Sequence, residues 1–229
     1  MASIAGKLQQ VHERIALACA AAQRPVQSVT LLAVSKTFGA AAVRAAQAAG
    51  QRAFGENYVQ EALAKIDALA DLRATIEWHL IGPLQSNKTR EVAAAFDWVH
   101  SLDRLKVAER LSAQRPAGLP PLQVCLQVNV SGEASKSGVA PGELPALAHA
   151  VAALPHLRLR GLMSIPEPAT DPAAQRAPHR LLHQWLDTRR AEGLALDTLS
   201  MGMSADLEAA IAEGATIVRV GTAIFGGRS

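Results

Sequence analysis

A chain of 229 residues with 49% hydrophobic content is long enough to bury one sizeable core and too short for two domains of ordinary size. Its formal charge of +3 is spread along the sequence, and one Tyr, four Phe and three Trp offer no platform for stacked bases, so a nucleic-acid surface is not expected. No apolar stretch approaches the roughly 18 residues that a membrane span needs. Cys19 and Cys125, with no CxxC and no nearby His pair, read as reduced buried thiols rather than as ligands of zinc or another metal.

The N-terminal segment carries Ile4, Leu8, Val11 and Ile15 at helical spacing, interrupted by Lys7, His12, Glu13 and Arg14. That pattern predicts an amphipathic helix of a cytoplasmic protein, not a targeting sequence. Eight short apolar runs follow, at 29–37, 52–56, 76–82, 98–102, 122–130, 157–165, 196–203 and 216–225. Segments of helical character separate them; 40–49 and 205–213 are rich in alanine and end at Gly50 and Gly214, the residue favoured just past a helix. Strands alternating with helices predict right-handed βαβ units and a parallel sheet. Eight such units over residues 1–229 predict one α/β domain, a single (β/α)8 TIM barrel with an additional N-terminal helix. An open doubly wound sheet is the structural rival, but no GxGxxG follows the first run.

The first run closes on Lys36, and an ammonium group at the end of an apolar strand gains little unless it reaches water or does chemistry. The eighth run carries Arg219 followed by Gly221-Thr222. Barrel closure would set these beside each other at the C-terminal mouth, where such barrels build their sites. Alternation then puts Leu32, Val34 and Lys36 on the inner face, with Ile217, Arg219 and Gly221 beside them. Ser204, after Leu199-Ser-Met201-Gly202-Met203, occupies the position from which an N-cap serine leaves helix N–H groups free for an anion. With Gly221-Thr222 it makes a phosphate cradle of the kind barrels place after strands seven and eight. Each residue has a plainer alternative: Lys36 reaching solvent, Ser204 merely capping, and Asp206 and Glu208 opposing an anion in the same first turn. Together, a reactive amine and an anion site imply pyridoxal 5'-phosphate (PLP).

Residues 78–88 form the densest polar cluster of the chain. His79 there could pack against a cofactor ring or serve as a hydrogen-bonded core residue, and no carboxylate at fixed spacing marks it as a general base. Asn57, closing the second run, could reach a ring hydroxyl or cap the next helix. Two segments at the expected mouth read either as lids or as plain surface loops: 131–138, with Lys136 as a candidate second aldehyde-reactive amine, and 164–178, with Pro166, Pro168, Pro172 and Pro178.

The segments LLAVSKT around Lys36, FGENYVQE from Phe54, WHLIGPLQSNK from Trp78, GLMSI from Gly161, LSMGMSAD from Leu199 and VRVGTAIFG from Val218 come in the order and spacing of one family. Over nearly its whole length the chain resembles the pyridoxal phosphate homeostasis proteins, which are similar in fold to the barrel domain of alanine racemase. The resemblance implies that the lysine matching Lys36 holds PLP as an internal aldimine. It implies also that the residues matching Ser204, Gly221 and Thr222 hold the phosphate and that the arginine matching Arg219 meets the pyridine nitrogen. Asn57, His79 and Met201 lie in the same motifs and complete the expected cofactor-binding set. The implied role is buffering, storage or delivery of PLP to PLP-dependent apoenzymes by a monomer, with no catalytic residue established.

A guanidinium cannot accept the ring proton, so the ring would stay neutral and a weaker electron sink. A PLP-dependent racemase or lyase on the same lysine is the alternative, and it needs a second base. Tyr58 and His79 are the candidates in the chain, and no segment is left after the eighth run for a second domain to supply another. A phosphosugar aldolase with a Schiff-base lysine is a third reading, for which neither Arg219 nor the Trp78 cluster calls.

Overall fold

Ser3 accepts the Gly6 N–H through its hydroxyl and so opens α1 (Ile4–Ala21), which buries Leu8, Val11 and Ile15 as its spacing requires. In the computed structural model, which describes residues 3–132 and 137–227, strands and helices then alternate. The strands are β1 (Thr30–Val34), β2 (Ala53–Glu56), β3 (Glu77–Leu80), β4 (Trp98–Leu102), β5 (Leu122–Gln127), β6 (Leu157–Met163), β7 (Thr198–Ser200) and β8 (Ile217–Val220). Between them run α2 (Ala40–Ala48), α3 (Val59–Ala68), α4 (Thr89–Ala95), α5 (Leu105–Gln114), α6 (Leu144–Ala152), α7 (Pro172–Ala191) and α8 (Leu207–Ala212), with the single turn α9 (Thr222–Phe225) after β8. All neighbouring strands pair in parallel, and β1 closes on β8 with Leu32 opposite Arg219 and Ala33 opposite Val220. The expected closed barrel with its extra N-terminal helix is observed, and the open sheet is excluded. No helix among the described residues is long and apolar enough to cross a membrane.

Two apolar layers hold the barrel. The larger lies between strands and helices; the smaller fills the inside with Leu32, Ala53, Trp98, Cys125, Met163 and Ile217. Leu32 and Ile217 sit inside as alternation requires. Both cysteines are buried and unpaired, and burial pushes the Cys125 thiol up to about 12, so it behaves as a small apolar side chain.

Three boundaries differ from the sequence reading. The first strand ends at Val34, which leaves Lys36 in a turn rather than on the strand. The eighth ends at Val220, and 222–225 is helical because Ile224 and Phe225 donate back to the Gly221 carbonyl. The proline-rich segment 164–178 is not one loop: Asp171 accepts the Ala174 N–H at 2.8 Å and starts α7 at Pro172, where a missing N–H costs nothing. Pro178 then lies inside that helix, a position that sequence rules disfavour because the bond to the carbonyl four residues back is lost. Of the other segment, Lys136 lies outside the described residues.

Candidate functional site

The turn after β1 is strained. Thr37 adopts φ 67°, rare for a β-branched residue, and Phe38 N–H returns to the Ser35 carbonyl at 3.0 Å. What holds this turn is a buried ion pair beneath it. Lys65 on α3 places Nζ 2.7 and 2.8 Å from the two oxygens of Glu56 and 2.7 Å from the Ser35 carbonyl, while the Ser35 hydroxyl donates to Glu56 at 2.6 Å. Burial pushes the Glu56 carboxyl up, and Lys65 and Ser35 offset part of that. Lys36, one residue on and half-buried, has no hydrogen-bond or ion-pair partner among the described residues.

Lys36 opens on a cavity of about 440 Å³ at the C-terminal mouth. Its wall combines Lys36, Asn57 and Arg219 with the hydroxyls of Thr37, Ser204 and Thr222, the backbone of Gly221, and an apolar lining that includes Val34, Phe38, Ile81, Ile165 and Met203. Closure of β8 on β1 thus brings the two ends of the sequence to one site, as predicted. A Cβ at Gly221 would come within 3.1 Å of the Val34 carbonyl, so glycine both lets β8 close against β1 and keeps the wall free. Phe38 and Phe225 stack at 5.2 Å across the edge of this seam.

Asn57 does not cap α3; Tyr58 stands at that position without a side-chain cap. Asn57 lines the cavity, and its Oδ1 is buried with no hydrogen-bond partner among the described residues. Its placement depends on Gly82, where a Cβ would lie 2.1 Å from the Asn57 carbonyl oxygen. Gly82→Ala is expected to push the two segments apart and to lower stability by about 1–3 kcal/mol; thermal unfolding checks this, and an unchanged midpoint would contradict it.

Ser204 is likewise not the cap of α8. Asp206 holds that position, and its Oδ1 accepts the Met203 N–H at 2.7 Å, so the turn 204–206 precedes the helix and presents Ser204 to the cavity. Asp206 was expected to oppose an anion. Its second oxygen meets His179 Nε2 at 2.9 Å; burial disfavours its charge, yet the His179 and Met203 hydrogen bonds win and hold the carboxyl below its ordinary range. Glu208 is forked by Arg14 of α1 (2.6 Å from Nη2), and Arg14 also donates to the Ser204 carbonyl at 2.8 Å. The N-terminal helix therefore braces the turn at Ser204, and both acids serve as struts.

Arg219 is buried, donating to Ser200 Oγ at 2.9 Å and to the Ser164 carbonyl at 2.8 Å; burial pulls it down to about 10, which leaves it a cation at neutral pH. Two expected residues stay off the wall. His79, expected against the ring, lies beneath it, stacked on Trp98 at 5.3 Å and bonded to His100. Met201 is fully buried in the layer between barrel and helices, and Met203 takes its place at the cavity. Ile81 could have been found by counting two residues on from His79 along the inner face. Phe38, Ile165 and Met203 lie on irregular backbone, which carries no such period.

The fold and wall define a (β/α)8 barrel whose mouth offers a lone amine, a buried guanidinium and a hydroxyl-lined turn. The alanine racemase N-terminal domain family matches residues 7–229, and a Pseudomonas aeruginosa protein named pyridoxal phosphate homeostasis protein is 65% identical over all of this chain and 97% of its own length. The chain belongs to the family of the pyridoxal phosphate homeostasis proteins. Among solved structures, PipY of Synechococcus elongatus with PLP bound superposes at TM-score 0.85, 41% identical, covering 98% of this chain and all of that one. Alanine racemase of Corynebacterium glutamicum shares the fold alone, at TM-score 0.66 and 19% identity over 96% of this chain and 62% of its own.

Proposed function

We propose that this chain binds PLP in the cavity at the barrel mouth, tethered to Lys36 as a Schiff base, and buffers, stores or delivers it. One observation carries the reading: Lys36 and Arg219 are the only ionisable side chains among the described residues of the wall. The residues present fit the group. Ser204 and Thr222 hydroxyls suit its phosphate, the donor-only guanidinium of Arg219 suits a neutral ring nitrogen, and Asn57 Oδ1 is an acceptor awaiting a donor such as a ring hydroxyl. PLP supplies a carbonyl that condenses with an amine, releasing water, and the reverse hydrolysis frees it again.

The same observation argues against turnover as a racemase or lyase. Tyr58 is half exposed at the start of α3 and His79 lies under the wall, so neither stands where a second base would work. The PipY and P. aeruginosa relatives support the carrier role over the enzymatic one. We read the closed barrel as a monomer in the cytoplasm, where PLP-dependent apoenzymes would be its partners. The purified protein is expected to show a visible absorbance band that borohydride bleaches and fixes onto Lys36. With L-alanine in deuterated water it should exchange the α-proton no faster than free PLP; exchange well above that rate would establish an enzyme instead.

A further inference from the structure

Arg219 is the top of a hydrogen-bonded column that runs down the inside of the barrel. Its Nη1 donates to Ser200 Oγ on β7, Ser200 Oγ lies 2.7 Å from His100 Nδ1 on β4, and His100 Nε2 lies 2.9 Å from His79 Nδ1 on β3. His79 Nε2 has no hydrogen-bond partner among the described residues; Glu77 Oε2, at the opposite, N-terminal end of β3, faces it from 3.6 Å, beyond hydrogen-bond reach. Ser200 and His100 are fully buried and His79 is 2% exposed, whereas Glu77 reaches solvent. Barrel interiors are ordinarily filled with branched apolar side chains. Polar groups this deep are costly unless each donor meets an acceptor.

The two ends favour one direction for the bonds between them. A guanidinium only donates and a carboxylate only accepts. Ser200 Oγ, accepting from Arg219, still has its own proton to place, and His100 Nδ1 is the acceptor in reach. His100 then carries its proton on Nε2 and donates to His79 Nδ1, and His79 carries its own on Nε2, toward Glu77. The reverse set of tautomers would turn a bare His79 lone pair onto the carboxylate. Burial holds His100 well below the ordinary imidazole range, and the Arg219 charge acts the same way. Around the column stand Cys125 on β5, Asp206 before α8, and Arg160 of β6, which forks onto Asp197 and lies over the Trp98 ring at 4.9 Å.

We propose that Ser200, His100 and His79 are positioning residues forming a one-way donor relay from Arg219 to His79, whose far nitrogen faces Glu77, and that this relay holds the guanidinium toward the cavity as a donor to the ring nitrogen of the cofactor. The ring's identity rests on the PLP reading; the relay is a property of the chain itself. In the protein without cofactor, nitrogen NMR of labelled histidines at pH 7 is expected to show His100 neutral with its proton on Nε2, donating to an unprotonated His79 Nδ1. A proton on Nδ1 of His100, or an imidazolium there, would overturn the relay.

On the PLP-loaded protein, His100→Leu and Ser200→Ala are expected to keep the borohydride-fixable adduct on Lys36. They should weaken PLP roughly ten-fold, the scale of one buried hydrogen bond to a charged group, and shift the absorbance band. His100→Asn, whose amide oxygen can still accept from Ser200, should restore most of both. Wild-type affinity and spectrum in His100→Leu and Ser200→Ala would remove the positioning role. Should His100→Leu fail to fold, Glu77→Gln at the exposed end is expected to move the His79 signals, and unchanged signals would disprove the relay's reach. If the wild-type protein takes up no PLP, the cofactor reading fails while the tautomer result stands by itself.

Discussion

Lys36→Ala is expected to lose the covalent PLP adduct completely while keeping weaker, non-covalent binding. The structure explains both halves. Ser204, the Gly221-Thr222 backbone and the Arg219 guanidinium line the wall of the same cavity and do not depend on the Lys36 side chain for their own bonds. The tether, in contrast, has no substitute on that wall, because the other lysine of this region, Lys65, is committed to Glu56 and Ser35 under the turn. After borohydride treatment, peptide mapping should find PLP on Lys36 in the wild type and none on the variant. A full complement on the variant would move the tether to another amine.

Lys65→Met is expected to cost about 3–5 kcal/mol, the scale of a buried ion pair deprived of one partner. The side chain fits the same volume, but Glu56 is left fully buried with only the Ser35 hydroxyl to support its charge. The loss also carries a sign in pH. The folded-state Glu56 carboxyl is already raised by burial, and without Lys65 it rises further. A raised carboxyl costs nothing where it is protonated in both states, so the deficit should be smallest in acid, below the unfolded value. It should grow as pH climbs through the ordinary carboxylate range to the raised folded value. Urea unfolding at pH 5 and pH 7 measures this, and a deficit larger at pH 5 would contradict it. Adding Glu56→Gln removes the stranded charge and should recover most of the loss. Because the pair grips the Ser35 carbonyl, Lys65→Met should also loosen the Lys36 turn and slow adduct formation.

Much of the fold could be read from local rules because they act over a few residues. The spacing of Ile4, Leu8, Val11 and Ile15 specified α1, and Gly50 and Gly214, with φ near +100°, stand just past α2 and α8 as expected. Those rules misled where tertiary contacts overrode them. Pro172 and Pro178 read as loop, but one serves as a helix start and the other is carried inside α7 by the burial of His179, Leu182 and Leu186 along its inner face. Ser204 had the chemistry of a cap, and Asp206 took the position because its carboxylate could reach both Met203 N–H and His179.

By itself the sequence determined that one lysine and one arginine, far apart along the chain, meet at the C-terminal mouth of a barrel, since periodicity and alternation are properties of consecutive residues; that Lys36 lies in the turn past β1 came only from the structure. It placed Asn57, Ser204, Gly221 and Thr222 at the same mouth. Only the tertiary structure decided that Asn57 keeps a bare acceptor, that Asp206 and Glu208 are taken up by Met203, His179 and Arg14, and that His79 belongs to the column beneath Arg219 rather than to the wall. Hydrogen-bond direction and burial depend on what stands opposite in space. Those neighbours are up to 194 residues apart in sequence, as Arg14 and Glu208 are, so no local pattern can encode them.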